Sequence, residues 1–122
     1  MYKEAKKPRT KRKNMYNMPL SKKHKLMSTH LSRELRGKYK VRSIPVRKGD
    51  TVLVIKGSYK GKEGKVAKVS LKKAKLSIEE ITISKADNTK VSYYISPSNC
   101  IITKLNLTDK RRKINSEAMA NE

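Results

Sequence analysis

The chain has no tryptophan and no phenylalanine, so its aromatic content is six tyrosines. Its core must be assembled from Val, Ile and Leu, without the large apolar area that Phe and Trp rings supply. A single cysteine, Cys100, excludes an internal disulfide and fits a reducing compartment. No apolar run approaches the roughly 20 residues of a membrane-spanning helix. The N-terminus carries charge with no apolar stretch behind it, which excludes a secretory signal. Organelle transit peptides share a basic, acid-poor start, but here that start is accounted for by a basic arm. Acids are scarce: ten Asp or Glu face 32 Lys or Arg across 122 residues, a net charge of +22.

That positive charge is unevenly placed. Residues 1–48 hold seventeen Lys or Arg against only Glu4 and Glu34, a net +15. Residues 49–107 hold eleven Lys, no Arg and five acids, a net +6, and the last fifteen residues net +1. So many like charges resist compaction unless a counter-surface is present. A polyanion supplies one, and nucleic acid is the first candidate. The length allows one ordinary domain plus extensions. Apolar residues cluster after Val41, so the folded part is small and marginal in the area it can bury.

Residues 1–19 show no periodicity. Lys3, Lys6, Lys7, Arg9, Lys11, Arg12 and Lys13 surround Pro8, and Tyr16 and Pro19 follow. This composition predicts an extended basic arm that orders on binding, with Tyr2 and Tyr16 able to stack on bases. A solvated nuclear-targeting tail would have the same composition. Residues 20–48 read as short helices and a linker wrapping onto the domain. Ser21 caps a helix to about Met27, and Ser32 caps a second that ends near Gly37 or Tyr39. Leu31 and Leu35, four apart, would share one helical face. Helices this short need docking partners. Lys22, Lys23, Lys25, Arg33 and Arg36 continue the basic surface, followed by Lys38, Lys40, Arg42, Arg47 and Lys48.

From Asp50 the period becomes strand-like. Val52-Leu53-Val54-Ile55 is a solid apolar run, consistent with a buried strand. Ala67, Val69 and Leu71 then alternate with Lys68, Ser70 and Lys72, and Lys72-Lys73 turns the chain. The apolar phase jumps from Leu76 and Ile78 to Ile81 and Ile83, which predicts a bulge or bend near Glu79-Glu80. Asp87-Asn88 marks a turn. Val91, Tyr93 and Ile95 alternate inward with Tyr94 outward, and Ser96-Pro97-Ser98-Asn99 breaks the run before Cys100-Ile101-Ile102. About five short strands at this spacing predict a mainly β fold, a small closed or nearly closed barrel over residues 49–107. Thr108-Asp109 would cap a short basic C-terminal helix carrying Arg111 and Arg112, and residues 108–122 form this last segment with a frayed end.

The most specific stretch runs from Arg47 to Val66. Gly49, Gly57, Gly61 and Gly64 permit positive φ and close backbone approach. Lys56, Lys60, Lys62 and Lys65 put ammonium groups around that open backbone, beside Ser58. Tyr59 offers a flat face to a base or ribose. The result is a strand–loop–strand element suited to a phosphate backbone; a hairpin with merely solvated lysines is the bland alternative. Lys72 and Lys73 extend the same charge to the next turn.

This stretch resembles a KOW motif, and KOW domains are SH3-like barrels. Met27 to Arg36, Tyr39, and Val41 to Arg47 resemble the lead-in segment of the KOW-motif protein family of the eukaryotic and archaeal large ribosomal subunit. Pro97 to Leu105, followed by Asp109-Lys110-Arg111, resemble that family's last strand and basic C-terminal helix. The similarity covers roughly residues 5–113. It implies a structural constituent of the large subunit that binds rRNA early in assembly and sits near the exit of the peptide tunnel. Implied partners are large-subunit rRNA, neighbouring ribosomal proteins and factors docking at the tunnel exit, with no membrane, small-molecule substrate, metal or cofactor. The implied location is the cytoplasmic ribosome, with nuclear or nucleolar passage if the source is eukaryotic. The loop residues Lys56, Tyr59, Lys60 and Lys62 carry over as rRNA contacts. The family often has Pro where His30 stands, His where Ser96 stands, and Asn-Gly in place of Asp87-Asn88. None of these departures touches the glycine loop.

Other signals do not add up to chemistry. Gly57 to Lys62 is one residue short of a phosphate-binding P-loop, and Glu63 stands where Ser or Thr is required. His24 and His30 are six apart with Cys100 far away, which is no metal set. Cys100 sits in a strand pattern as a small core residue. Glu79-Glu80 lacks a general-acid partner and reads as a solvated strand edge. No enzyme is expected. A transcription elongation factor of the NusG type would need a further domain, and a membrane-surface protein would need a helix with a broad apolar face.

Overall fold

Strands form where β-branched residues take over, and the computed structural model describes residues 5–109, 111 and 112. Its strands are β1 (Ser28–Leu31), β2 (Ser43–Pro45), β3 (Thr51–Val54), β4 (Glu63–Ser70), β5 (Lys75–Ser84), β6 (Lys90–Ile95) and β7 (Cys100–Lys104). They form one seven-stranded sheet in the order β2-β1-β7-β3-β4-β5-β6. All pairings are antiparallel except β1 with β7, where His30 faces Ile101 and Leu31 faces Ile102. A single core joins the strands: Val52, Val54, Val66, Leu76, Ile78, Ile81, Ile95, Cys100 and Ile102, closed by Met27, Leu31, Ile44 and Val46 from the lead-in segment. This is the mainly β fold that the strand spacing predicts, with the SH3-like, barrel-like form that the KOW resemblance implies.

The lead-in segment is more strand-like than its sequence suggests. Leu31 ends β1, so it does not share a helical face with Leu35. Both still reach the core, Leu31 buried and Leu35 half-buried against it. Parallel pairing to β7 satisfies the backbone there, and Ser32 N–H donates to the Ile102 carbonyl at 2.9 Å. Among the described residues there are three α-helices: α1 (Pro8–Tyr16), α2 (Leu20–Lys23) and α3 (Arg33–Tyr39). In α3 the Ser32 hydroxyl accepts from Leu35 N–H at 3.4 Å, Glu34 lies in the first turn, and Lys40 ends the helix in the left-handed region at φ 54°. The Ser21 cap is not used; α2 starts after Pro19 and continues as a 3₁₀ turn over His24–Met27.

Residues 8–16 are helical, not extended as the lack of periodicity predicts. Pro8 occupies the first turn, where its missing N–H costs nothing, and the Lys and Arg that follow are good helix formers. Yet α1 buries none of its residues. The predicted C-terminal helix lies largely outside the described residues; Arg111 is in a turn and Arg112 has no regular structure.

The bulge anticipated near Glu79-Glu80 is present, since the β5–β6 register shifts between Ser77 and Thr82. A second shift, between Val66 and Lys68, reorients β4. The strand β3 alternates buried Val52 and Val54 with half-buried Thr51 and Leu53, so it is not buried on both faces. Two residues expected inside lie outside. Tyr93 shares the face of Ile95, and Ile83 that of Ile81, but each sits two residues further along, past the closed part of the barrel. Tyr93 is 37% exposed and Ile83 42%.

One end of the barrel is locked by Asp50, whose side chain is fully buried. Its carboxylate accepts both guanidinium nitrogens of Arg112, at 2.6 and 2.7 Å, with Arg47 N–H at 3.0 Å and Asn106 N–H at 2.9 Å. Arg112 also donates to the carbonyls of Asn106 and Pro45, at 3.1 and 3.2 Å. A bidentate, fully satisfied pair of this kind joins the lead-in, the start of β3 and the chain beyond β7. Removing one partner leaves an uncompensated buried charge. Asp50→Ala or Arg112→Ala is therefore expected to lower unfolding stability by about 3–5 kcal/mol. Denaturant titration checks this; a loss below about 1 kcal/mol would show the pair to be dispensable.

Candidate nucleic-acid interface

The loop between β3 and β4 is built by its glycines. Gly57 and Gly61 have φ of 91° and 89°, a region open to Gly and strained for branched residues. Gly61 N–H donates to the Val54 carbonyl at 2.8 Å, and Val54 N–H to the Lys62 carbonyl at 2.9 Å, which closes the neck. Within the loop, Lys60 N–H reaches the Gly57 carbonyl and Lys62 N–H the Tyr59 carbonyl, at 3.2 and 3.1 Å. Gly49 has φ 94° and a different task, at the turn beside Asp50. Gly64 is needed for space: a Cβ there would stand 2.6 Å from Ile78 Cγ2.

The folded loop directs Lys56, Ser58, Lys60 and Lys62 outward, with Lys65 exposed on β4 behind it. Tyr59 is half-buried because its ring meets Tyr93, at a centroid distance of 5.0 Å and a tilt of 45°. The Lys62 ammonium sits 5.1 Å from the Tyr59 ring centre, and that of Lys73 4.7 Å from Tyr94. Sequence reasoning misses Tyr93 because strand alternation places it in the core. The bulge predicted near Glu79-Glu80 is the one signal that the barrel wall ends there.

The remaining basic residues are spread over the helices and the turns between elements. Lys11, Arg12 and Lys13 on α1 are exposed, as are Arg9 within it and Lys6 and Lys7 before it, and Tyr16 is 81% exposed. Lys3 lies outside the described residues. Lys22 and Lys25 are exposed and Lys23 half-buried; Arg33, Arg36, Lys38, Lys40, Arg42, Arg47, Lys48, Lys72, Lys73 and Arg111 all face solvent. Several are also held. Arg36 Nε donates to the Leu31 carbonyl at 3.0 Å and its guanidinium approaches His30 Nδ1 at 3.2 Å, while Arg47 pairs with Asp109. Arg112 does not belong to the contact set. It is 3% exposed and committed to Asp50, a role that net charge could not reveal because its partner lies 62 residues away.

Two further groups are structural. The Asp87 carboxyl accepts from the hydroxyl and N–H of Thr89, and those bonds hold it below the usual carboxylate range while fixing the β5–β6 turn. Burial pushes the Cys100 thiol up to about 11. Among the described residues, no cluster of His, Cys, Asp and Glu could hold a metal ion. No described helix is long and apolar enough to cross a membrane.

A small barrel with a glycine-built, lysine-rich loop and a basic lead-in defines the class: a KOW-type domain with a strongly basic surface. Comparison with known proteins agrees with this reading. Residues 5–117 match the model of the family that joins eukaryotic ribosomal protein L26 with its archaeal L24 counterpart. The large ribosomal subunit protein uL24 of Korarchaeum cryptofilum (strain OPF8) is 47% identical over 107 residues, which cover 88% of this chain and 82% of that protein. The chain belongs to this ribosomal protein family and is a structural component of the large subunit.

Gly61→Val places a β-branched residue at φ 89°. It is expected to cost about 1–3 kcal/mol, concentrated in the loop. Faster amide hydrogen exchange at Gly57–Lys62, with β5 and β7 unchanged, checks this; uniform loosening of the barrel contradicts it. Cys100 gives a pH test. Its folded-state thiol ionises near 11 instead of 9.0, so the folded state holds its proton more tightly. Stability from this group is intact below pH 9 and declines as pH rises toward 11. Because the thiolate is the reactive form, alkylation at pH 8 is expected to be slow in the native protein and rapid in denaturant. Equal rates would place the thiol at the surface.

Proposed function

We propose that the chain docks on large-subunit rRNA early in subunit assembly and lies near the exit of the peptide tunnel. The observation that carries this reading is the state of its basic residues. Arg9, Arg12, Arg33, Arg42, Lys56, Lys60 and Lys65 are exposed, and among the described residues none has a carboxylate in ion-pair reach. A surface so self-repulsive is relieved by a dense array of phosphates. Arginine's planar fork suits bidentate phosphate contact and stacking at the α1 and α3 surfaces, while the Lys-rich barrel supplies diffuse attraction. Recognition proceeds through shape and phosphates, with α1, the lead-in and the glycine loop as the three contacts. The relative named as a large-subunit protein supports the placement.

In this reading the protein works without catalysis or cofactor. Its other partners are neighbouring large-subunit proteins and factors at the tunnel exit, and a eukaryotic source would add nucleolar passage before cytoplasmic work. Sedimentation of a lysate through a density gradient tests the placement: co-migration with the large subunit through moderate salt is expected, and migration at the top or with polymerase overturns it.

The arm has its own test. Because α1 buries no residue, deleting residues 1–19 is expected to leave the barrel's melting temperature unchanged. Affinity for rRNA fragments should fall, and the log–log salt slope should shrink by about 0.7–0.9 for each phosphate that the arm neutralises. An unchanged affinity and slope would remove the arm from the interface.

A further inference from the structure

A partly exposed aromatic cluster lies beside the glycine loop, where Tyr59 packs one side against the core and Tyr93 stays open to solvent. Tyr59, Tyr93 and Tyr94 line a cleft of about 190 Å³ between the loop and the end of β6. That is the space of about six waters, enough for one planar ring system and too small for a strand or helix. Lys56 and Lys75 stand at its edge, and Ser96 and Asn99 complete the wall. Tyr59 and Tyr93 meet at 45° and so do not stack flat on each other. With Tyr93 37% exposed, ring surface remains open on that side. Asn99 has its backbone committed, its N–H to Ser96 and its carbonyl to Ile55. Its side-chain amide is left free to offer one donor and one acceptor.

We infer that this cleft receives a single unpaired nucleobase of RNA. The base stacks on Tyr93, its polar edge meets the Asn99 amide, and its flanking phosphates lie against Lys56 and Lys75. Charge complementarity favours this occupant over an apolar side chain, which would gain nothing from two lysines and a free amide. It also favours a nucleotide over an acidic peptide, which would leave the ring face unused. Stacking on tyrosine is available to every base, so the cleft anchors a splayed-out nucleotide without reading sequence strongly. The inference rests on the RNA-binding reading above and adds to it a defined pocket for one base.

The test uses the full chain and a short single-stranded RNA carrying one central 2-aminopurine, whose fluorescence reports stacking. Binding is expected to quench the probe. Tyr93→Ala is expected to abolish most of the quenching and weaken binding about tenfold. Its salt slope should stay unchanged, because the tyrosine ring neutralises no phosphate. Tyr93→Phe should behave as wild type, and Asn99→Ala should weaken binding without removing the quenching. An oligonucleotide with an abasic site in place of the probe should bind wild-type protein about tenfold more weakly. That arm decides the matter even if Tyr93→Ala fails to fold. Equal binding of abasic and intact RNA, or full quenching by a folded Tyr93→Ala, overturns the cleft while leaving phosphate-based binding in place. If wild-type protein binds neither single-stranded nor paired RNA, the broader reading itself fails.

Discussion

The buried contact between Asp50 and Arg112 is the constraint on which the rest of the molecule depends. A sheet of this size has little core to spare, and its two ends are contributed by distant parts of the chain. The carboxylate of Asp50 gathers donors from Arg47, Asn106 and Arg112, so the lead-in, the first barrel strand and the chain beyond the last strand are tied at one point. The guanidinium is satisfied in turn by the carbonyls of Pro45 and Asn106. Among the described residues no buried side-chain polar atom lacks a partner. A polar knot of this kind tolerates burial only because every member is paired. It also explains how a chain with a net charge of +22 keeps a small domain closed: one positive charge is turned inward and used as a rivet.

The knot and the candidate contact surface occupy opposite ends of the same short strand. Asp50 precedes β3 and the glycine loop follows it, with four residues between. Those residues span about 13 Å, at roughly 3.3 Å each. Val52 and Val54 anchor this strand in the core, and β7 and β4 pair with it on either side. The loop is thus presented from a strand paired on both sides and anchored in the core. Its own conformation, though, rests on local turns and glycine dihedrals. Stability and presentation are therefore largely separable, and the exposed lysines can shift to meet a partner without weakening the barrel.

Much of this is legible in residue patterns. The glycine spacing locates the loop, Ser32 announces its helix, and the phase jump after Ile78 announces the bulge. What escapes the sequence depends mostly on contacts between distant segments. Net charge marks Arg112 as one more cation, and only the fold brings it to a carboxylate 62 residues away. The leucine spacing that suggests a helical face for Leu31 is overridden by parallel pairing with β7. Helix α1 is hidden for the opposite reason. It has no apolar face to detect, since none of its residues is buried, and it follows from local propensity alone.

Tyr93 shows how a correct periodicity can still mislead. Alternation assigns its face correctly, because it has the same parity as Ile95, which is buried opposite Leu76. Alternation, however, reports only the side of a sheet, not where the enclosed volume ends. The register shift between Ser77 and Thr82 falls opposite Tyr93, whose ring meets Tyr59 of the glycine loop. A tyrosine suits such a boundary, with an apolar ring that can pack on Tyr59 and a hydroxyl that tolerates water. The basic loop and the aromatic wall are therefore not independent surface features. They meet opposite the β5–β6 bulge, and the proposed contact surface gains ring faces where the core stops.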